Sequence, residues 1–203
     1  MRSPPLKSEL LAPGMRVGLF GGTFDPPHAG HLHVARTAMR RLNLHRVWWL
    51  VSPQNPLKRR QAGDLARRMN AVAGLASEPR MVVSDIEARL GINRTVDLMR
   101  ALKRRYPDVR FVWIMGADNL SSIHRWGHWR EIFASYPIAV VSRPTDAVRA
   151  RLSPAVQIHA RDRLNEDQAR HLAGCAAPAW TYLTEPYHPH SSTALRRRST
   201  RKP

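Results

Sequence analysis

The stretch that most restricts how this chain can fold runs from residue 15 to residue 35, MRVGLFGGTFDPPHAGHLHVA. Residues 15–20 read as a short apolar strand. Gly21 and Gly22 follow, and adjacent glycines mean that the backbone turns sharply or that something comes close to it. Pro26 and Pro27 stiffen the link and hold it out of helix. From His28 or Ala29 a helical period takes over. Leu32, Ala35, Met39 and Leu42 share a face, with Arg36 and Arg40 off it.

The pattern continues along the chain. Apolar segments at 46–52, 80–85, 110–116, 136–144 and 179–185 read as strands. Helices are expected from Asp64 to about residue 77, over 94–106 until Pro107, and through Phe133. Two short helical pieces, interrupted by Pro154, fill 145–173, and a last helix starts in SSTALRRRST. Strands alternating with helices predict an α/β fold, a Rossmann-like doubly wound parallel sheet with helices on both faces. No internal repeat or domain boundary is evident. Residues 15–203 read as one domain behind a flexible, proline-containing N-terminal arm, residues 1–14.

Such sheets bind ligands at the carboxyl ends of their strands. That rule gathers five segments around one crevice: Gly21 to His31, Ser52 to Lys58, the turn near Thr95, Gly116 to Asp118, and Ser191 to Arg196. The first carries the clearest chemistry. A helix N-terminus exposes unpaired N–H groups and a partial positive charge, and can hold a phosphate. At roughly 100° per residue, His28 and His31 lie about 60° apart on one face, while His33 points elsewhere. Two imidazoles beside an anion-binding helix end suit phosphoryl or nucleotidyl chemistry.

The composition agrees with a polyanionic partner. The chain has 203 residues, 33 of them Lys or Arg against 15 Asp or Glu, a formal charge of +18. Nucleotide phosphates, nucleic acid and an anionic membrane all fit that balance. The apolar share of 43% is enough for a buried core. Cys175 is the only cysteine, so neither a disulfide framework nor a cysteine-built zinc site is available, and a buried structural thiol is expected. With no signal-peptide pattern and no apolar run near the roughly 20 residues that span a bilayer, a soluble cytoplasmic protein is expected.

GGTFDPPHAGH resembles the first signature of the nucleotidylyltransferase superfamily, with His28, Gly30 and His31 in the defining places. SSTALR, residues 191–196, resembles the second signature. VSPQNPLK, WIMGADNL and RWGHWREI resemble the nicotinate-nucleotide adenylyltransferases in particular. The resemblance implies a nucleotidylyltransferase-type fold that joins ATP to nicotinate mononucleotide. The products are nicotinate adenine dinucleotide and pyrophosphate, made in NAD biosynthesis.

By the same resemblance, His28, His31 and Arg196 are catalytic. Gly21, Gly22, Thr23, Phe24, Gly30, Lys58, Gly116, Asp118, Ser191, Ser192 and Thr193 bind ATP. Thr95, Trp126 and Gly127 receive the mononucleotide. Magnesium is expected to arrive with ATP, since no dedicated carboxylate cage is visible.

Several of these residues have plainer readings. Lys58 begins a run of charge, Asp118 can cap a helix, and Ser191 to Thr193 can be an N-cap. Trp48, Trp49, Trp113 and Trp129 read as core. The family pattern is also incomplete: Arg94 stands where an aromatic belongs, and Leu98 replaces a second threonine after Thr95. Two other functions compete. One is another adenylyltransferase, such as one acting on phosphopantetheine, or a cytidylyltransferase. The other is a basic nucleic-acid-binding protein, although the RRRSTRK tail lacks the interleaved aromatics such a protein uses.

Overall fold

The computed structural model describes residues 9–54, 61–142 and 150–184. Seven parallel strands form one sheet: β1 Arg16–Gly22, β2 Arg46–Val51, β3 Met81–Ser84, β4 Arg110–Gly116, β5 Ile138–Val141, β6 Arg163–Leu164 and β7 Trp180–Leu183. Their order across the sheet is β3-β2-β1-β4-β5-β7-β6. The chain winds outward from β1 to β3, then restarts beside β1 at β4. The switch point therefore lies between β1 and β4, where Phe20 sits opposite Ile114. A doubly wound sheet opens its crevice there.

The strands show why helices cover both faces. Val17 and Leu19, Trp48 and Leu50, Phe111, Trp113 and Met115, and Ile138 and Val140 pack into one buried cluster. Their alternates Phe20, Val47, Trp49, Val51, Val112, Ile114, Ala139 and Val141 pack into a second. Side chains alternate faces along a strand, so a run apolar at every position needs two cores. Helix α1, Ala29–Arg41, and helix α2, Leu65–Leu75, close the second face with Val34, Ala35, Ala38 and Val72. Helices α3 Ile86–Arg89, α4 Thr95–Arg105, α5 Ala117–Leu120 and α6 Trp129–Ser135 follow β3 and β4. Val96, Met99, Leu102, Trp129 and Phe133 close the first face.

The expected strands are all present, and Trp48, Trp49, Trp113 and Trp129 are core. Asp64 caps α2, its carboxylate accepting from the Arg67 N–H at 2.8 Å. Pro154 opens the short helix Pro154–Ile158, where its missing N–H costs nothing. Cys175 is half-buried against the second core, its thiol 3.5 Å from the His171 carbonyl. The two-residue strand β6 was not foreseen.

Residues 9–14, the described part of the expected flexible arm, are fastened to the domain. The Glu9 carboxylate accepts from Ser84 Oγ at 2.7 Å and pairs with Arg89. Arg46 donates to the Leu10 carbonyl at 3.1 Å, Leu11 packs on the first core, and Gly14 N–H reaches the Asp108 carbonyl at 2.8 Å. Prolines mark this segment as non-helical, but they do not stop it from packing.

Candidate active site

β1 runs through both glycines, with the Gly22 carbonyl accepting from the Ser52 N–H at 3.0 Å. The glycine pair is therefore strand, which ends two residues later than the sequence indicated. What requires glycine is close approach. A Cβ on Gly21 would stand 2.6 Å from the Trp113 ring, and one on Gly22 2.9 Å from the Phe24 ring.

The reversal falls instead on Phe24, at φ 47°. A bulky residue in the left-handed region costs about 1–2 kcal/mol. Burial of its ring offsets that, with centroids 5.4 Å from Phe20 and 5.3 Å from Trp49. Phe24 was expected among the ATP contacts. Its side chain is 3% exposed and belongs to the core, which leaves only its backbone for a ligand.

The chain then enters α1. His28 is the N-cap, with extended φ and ψ of −151° and 168°. His31 Nδ1 accepts the His28 backbone N–H at 3.2 Å. The two imidazoles stack with centroids 3.8 Å apart and planes 30° apart, and the Phe24 ring meets His31 edge-on at 5.0 Å. With Nδ1 accepting, a neutral His31 carries its proton on Nε2 and is a donor there. His28 is 5% exposed and His31 is half-buried. No acidic residue occupies the first turn of α1, so nothing there competes with a bound anion for the dipole.

On the other side of the switch point, Gly116 ends β4 and is the N-cap of α5. The exposed Asp118 folds its carboxylate over Gly116, filling the space a Cβ would need.

Farther along, Arg94 is the extended N-cap of α4 and Thr95 its first residue. Trp126 is half-buried, with one side on the first core. Gly127 is exposed, and nothing lies within 4 Å of where its Cβ would be. His128 at φ 58° turns the chain into α6. Its Nδ1 lies 2.8 Å from Glu131, which Arg100 of α4 also grips. These hydrogen bonds, from His128 first and Arg100 second, hold the Glu131 carboxyl below its usual value. The bridge ties α4 to α6, and with them Thr95 to the segment bearing Trp126. Lys58, Ser191, Ser192, Thr193 and Arg196 lie outside the described residues.

Two buried charged residues escaped the sequence reading. Arg68 on α2 is 4% exposed and Glu87 on α3 is 7% exposed. Burial pushes the Glu87 carboxyl up to about 7, against the pull of a hydrogen bond with Ser52. Arg68 did leave a signal, since Leu65, Arg68, Met69 and Val72 fall at helical spacing on the apolar stripe. Glu87 left none.

A doubly wound sheet with a stacked histidine pair at the helix mouth beside its switch point defines a nucleotidylyltransferase. Residues 19–198 match the cytidylyltransferase-like family model, and the chain belongs to that family. Among its relatives, the Ruegeria pomeroyi protein named "Probable nicotinate-nucleotide adenylyltransferase" is 52% identical over 185 residues. The match covers 91% of this chain and 86% of that one. A Caulobacter protein of the same name is 54% identical over 188 residues, 92% of this chain and all of that one. The fold also matches Plasmodium falciparum nicotinic acid mononucleotide adenylyltransferase complexed with NaAD, with a TM-score of 0.69. That match has 16% identity and covers 90% of this chain and 83% of that one. No helix among the described residues is long and apolar enough to cross a membrane.

Proposed function

We propose that this chain transfers the adenylyl group of ATP to nicotinate mononucleotide, releasing pyrophosphate and forming nicotinate adenine dinucleotide. The observation that carries this reading is the His28–His31 stack at the mouth of α1, set where β1 leaves the sheet. The relatives favour it over transfer to phosphopantetheine and over nucleic-acid binding. A cytoplasmic site of action goes with the reading.

A phosphate oxygen of the mononucleotide attacks the α-phosphorus of ATP. The bond from that phosphorus to the α–β bridging oxygen breaks, and pyrophosphate leaves with the electron pair. No covalent enzyme intermediate is needed. The work is alignment of two polyanions and stabilisation of charge on the transferring phosphorus. His31 donates from Nε2, and the N–H groups of the first turn of α1 add their dipole. Thr23, Phe24 and Gly30 offer backbone. Ser191, Ser192 and Thr193 serve as hydroxyl and N–H donors, and Arg196 and Lys58 grip the departing phosphates.

The crevice segments are rich in donors and bring the carboxylates of Asp25 and Asp118. That set fits magnesium carried in on the triphosphate, which needs few protein ligands and keeps water. When bound, the ion neutralises the leaving pyrophosphate. Thr95 and Gly127 present N–H groups to the nicotinate carboxylate, with the ring against Trp126.

Pyrophosphate release from ATP and magnesium, with a panel of mononucleotide acceptors, tests the reading. Nicotinate mononucleotide is expected to exceed nicotinamide mononucleotide by at least about tenfold in kcat/KM, because a site of donors leaves the amide NH₂ unpaired. Equal values would remove the nicotinate assignment and leave adenylyl transfer standing.

A further inference from the structure

The four carbonyls around Arg68 bring three loops to one point. This side chain rises from the first turns of α2 into a space where it is 4% exposed. Its Nη1 donates to the Thr23 carbonyl and to the Ser52 carbonyl, each at 2.8 Å. Nη2 donates to the Pro53 carbonyl at 3.0 Å, and Nε to the Gly63 carbonyl at 2.8 Å. Four of the five guanidinium N–H groups are thus spent on backbone.

A charge this buried is ordinarily matched by a carboxylate. Burial depresses the guanidinium, and Asp25 and Asp64 offset that only through their field. Among the described residues Arg68 makes no ion pair, and its hydrogen bonds go to main-chain carbonyls.

The carbonyls it selects lie in the crevice. Thr23 follows β1, Ser52 and Pro53 follow β2, and Gly63 leads into α2. A trans peptide is planar, with its C=O and N–H pointing in opposite directions. Drawing the Thr23 carbonyl toward Arg68 turns the Phe24 N–H away from it. Drawing the Pro53 carbonyl in does the same for the Gln54 N–H. One planar fork therefore sets the direction of a backbone donor at each of two adjacent strand ends. It also helps to hold Phe24 in its left-handed conformation, and the Phe24 ring in turn rests on His31.

We infer that Arg68 is a positioning residue for adenylyl transfer, holding the loops after β1 and β2 so that the Phe24 amide and the His31 imidazole meet the reacting phosphates already aligned. This rests on the proposed function. Arg68 touches no substrate, and its effect passes through the peptides it fixes. A planar fork is required. A lysine keeps the charge but has three donors spreading from a single point, which cannot reproduce four in-plane bonds.

The test compares Arg68→Lys and Arg68→Met with the wild-type chain in the pyrophosphate-release assay, well below each protein's Tm and normalised to folded protein. Lost alignment lowers kcat while ground-state binding persists. Arg68→Lys should therefore lose about tenfold and Arg68→Met about a hundredfold in kcat, with both KM values within about threefold. Millimolar guanidinium should restore part of the Arg68→Met rate and none of an Arg68→Lys deficit.

A merely structural Arg68 would lower Tm and leave kcat per folded molecule unchanged, and that result overturns the inference. A loss carried wholly by KM overturns it as well. Should Arg68→Met not fold, Arg68→Lys decides alone, and a kcat within twofold of wild type overturns the inference. Wild-type chain that turns over no acceptor defeats the function itself, an outcome seen before any variant is measured.

Discussion

The crevice has two ends built on opposite principles. At the β1 end, His28, Phe24 and Arg68 are each at most 5% exposed, rings stack on rings, and carbonyls are held by a buried cation. At the α4–α6 end, Gly127 and His128 are exposed, Trp126 is half-covered, and the bracing bridge of Arg100, Glu131 and His128 lies in solvent. On the proposed function the first end serves chemistry, where a misplacement of about 1 Å can cost a hundredfold in rate. The second would then serve recognition, where a ring must be admitted and released. Exposed ion pairs of this kind are weak, so little fixes the recognition end in advance.

The contrast can be broken most decisively at His31. His31→Ala should lose about 10²–10³ in kcat, roughly 3–4 kcal/mol, with mononucleotide binding nearly intact. His33→Ala, off the stacked face, should change little. Equal losses in steady-state assays of the two variants would dissolve the special status of the β1 end.

Next comes Glu87, buried near that same end. Its native carboxyl titrates at about 7 against an ordinary 4.5, so the native state holds the proton more tightly than the unfolded chain. The stability this confers is whole below pH 4.5 and disappears as pH rises through about 7. It amounts to at most about 3 kcal/mol. Glu87→Gln, neutral throughout, should flatten the fall in Tm between pH 5 and 8 and be the more stable protein at pH 8. Parallel Tm profiles would show that Glu87 carries no such burden.

The glycines sharpen the contrast further. Gly21→Ala drives a methyl into the Trp113 ring and should cost about 1–3 kcal/mol in denaturant unfolding. Gly127→Ala meets open space and should fall within about 0.5 kcal/mol of wild type. Similar costs at both sites would contradict a tight end and a loose one.

The effect confined to a single substrate belongs to Trp126. Its replacement by Ala should raise KM for the mononucleotide about tenfold, the worth of one stacked ring, and leave KM for ATP within about twofold. A shift in the ATP constant instead would move Trp126 out of the recognition end.

The β1 end was largely legible in the sequence because its signals are local. Two glycines, two prolines and histidines three apart declare a strand exit and a helix mouth without knowledge of anything distant. What the glycines were for was only half legible. The Trp113 ring that excludes a side chain at Gly21 comes from a strand some ninety residues later, and no local pattern encodes it. Arg68 shows the same limit. Its place on an apolar helical stripe hints at burial, but its four carbonyl partners come together only in the folded sheet. β6 has two residues and no room for a period. The hold on residues 9–14 depends on Arg46, Ser84 and Arg89, each far away in the chain.

The outer strands of the sheet carry a consequence of another kind. β3 closes one side with four residues and β6 the other with two, while the strands between them run to seven. A sheet invites another chain in proportion to the unpaired N–H and C=O row it leaves at its margin. Here that row is cut to a few groups on either side, and Arg163 stands on one of the margins. Add the cationic repulsion between copies, and the described sheet offers little template for cross-β growth.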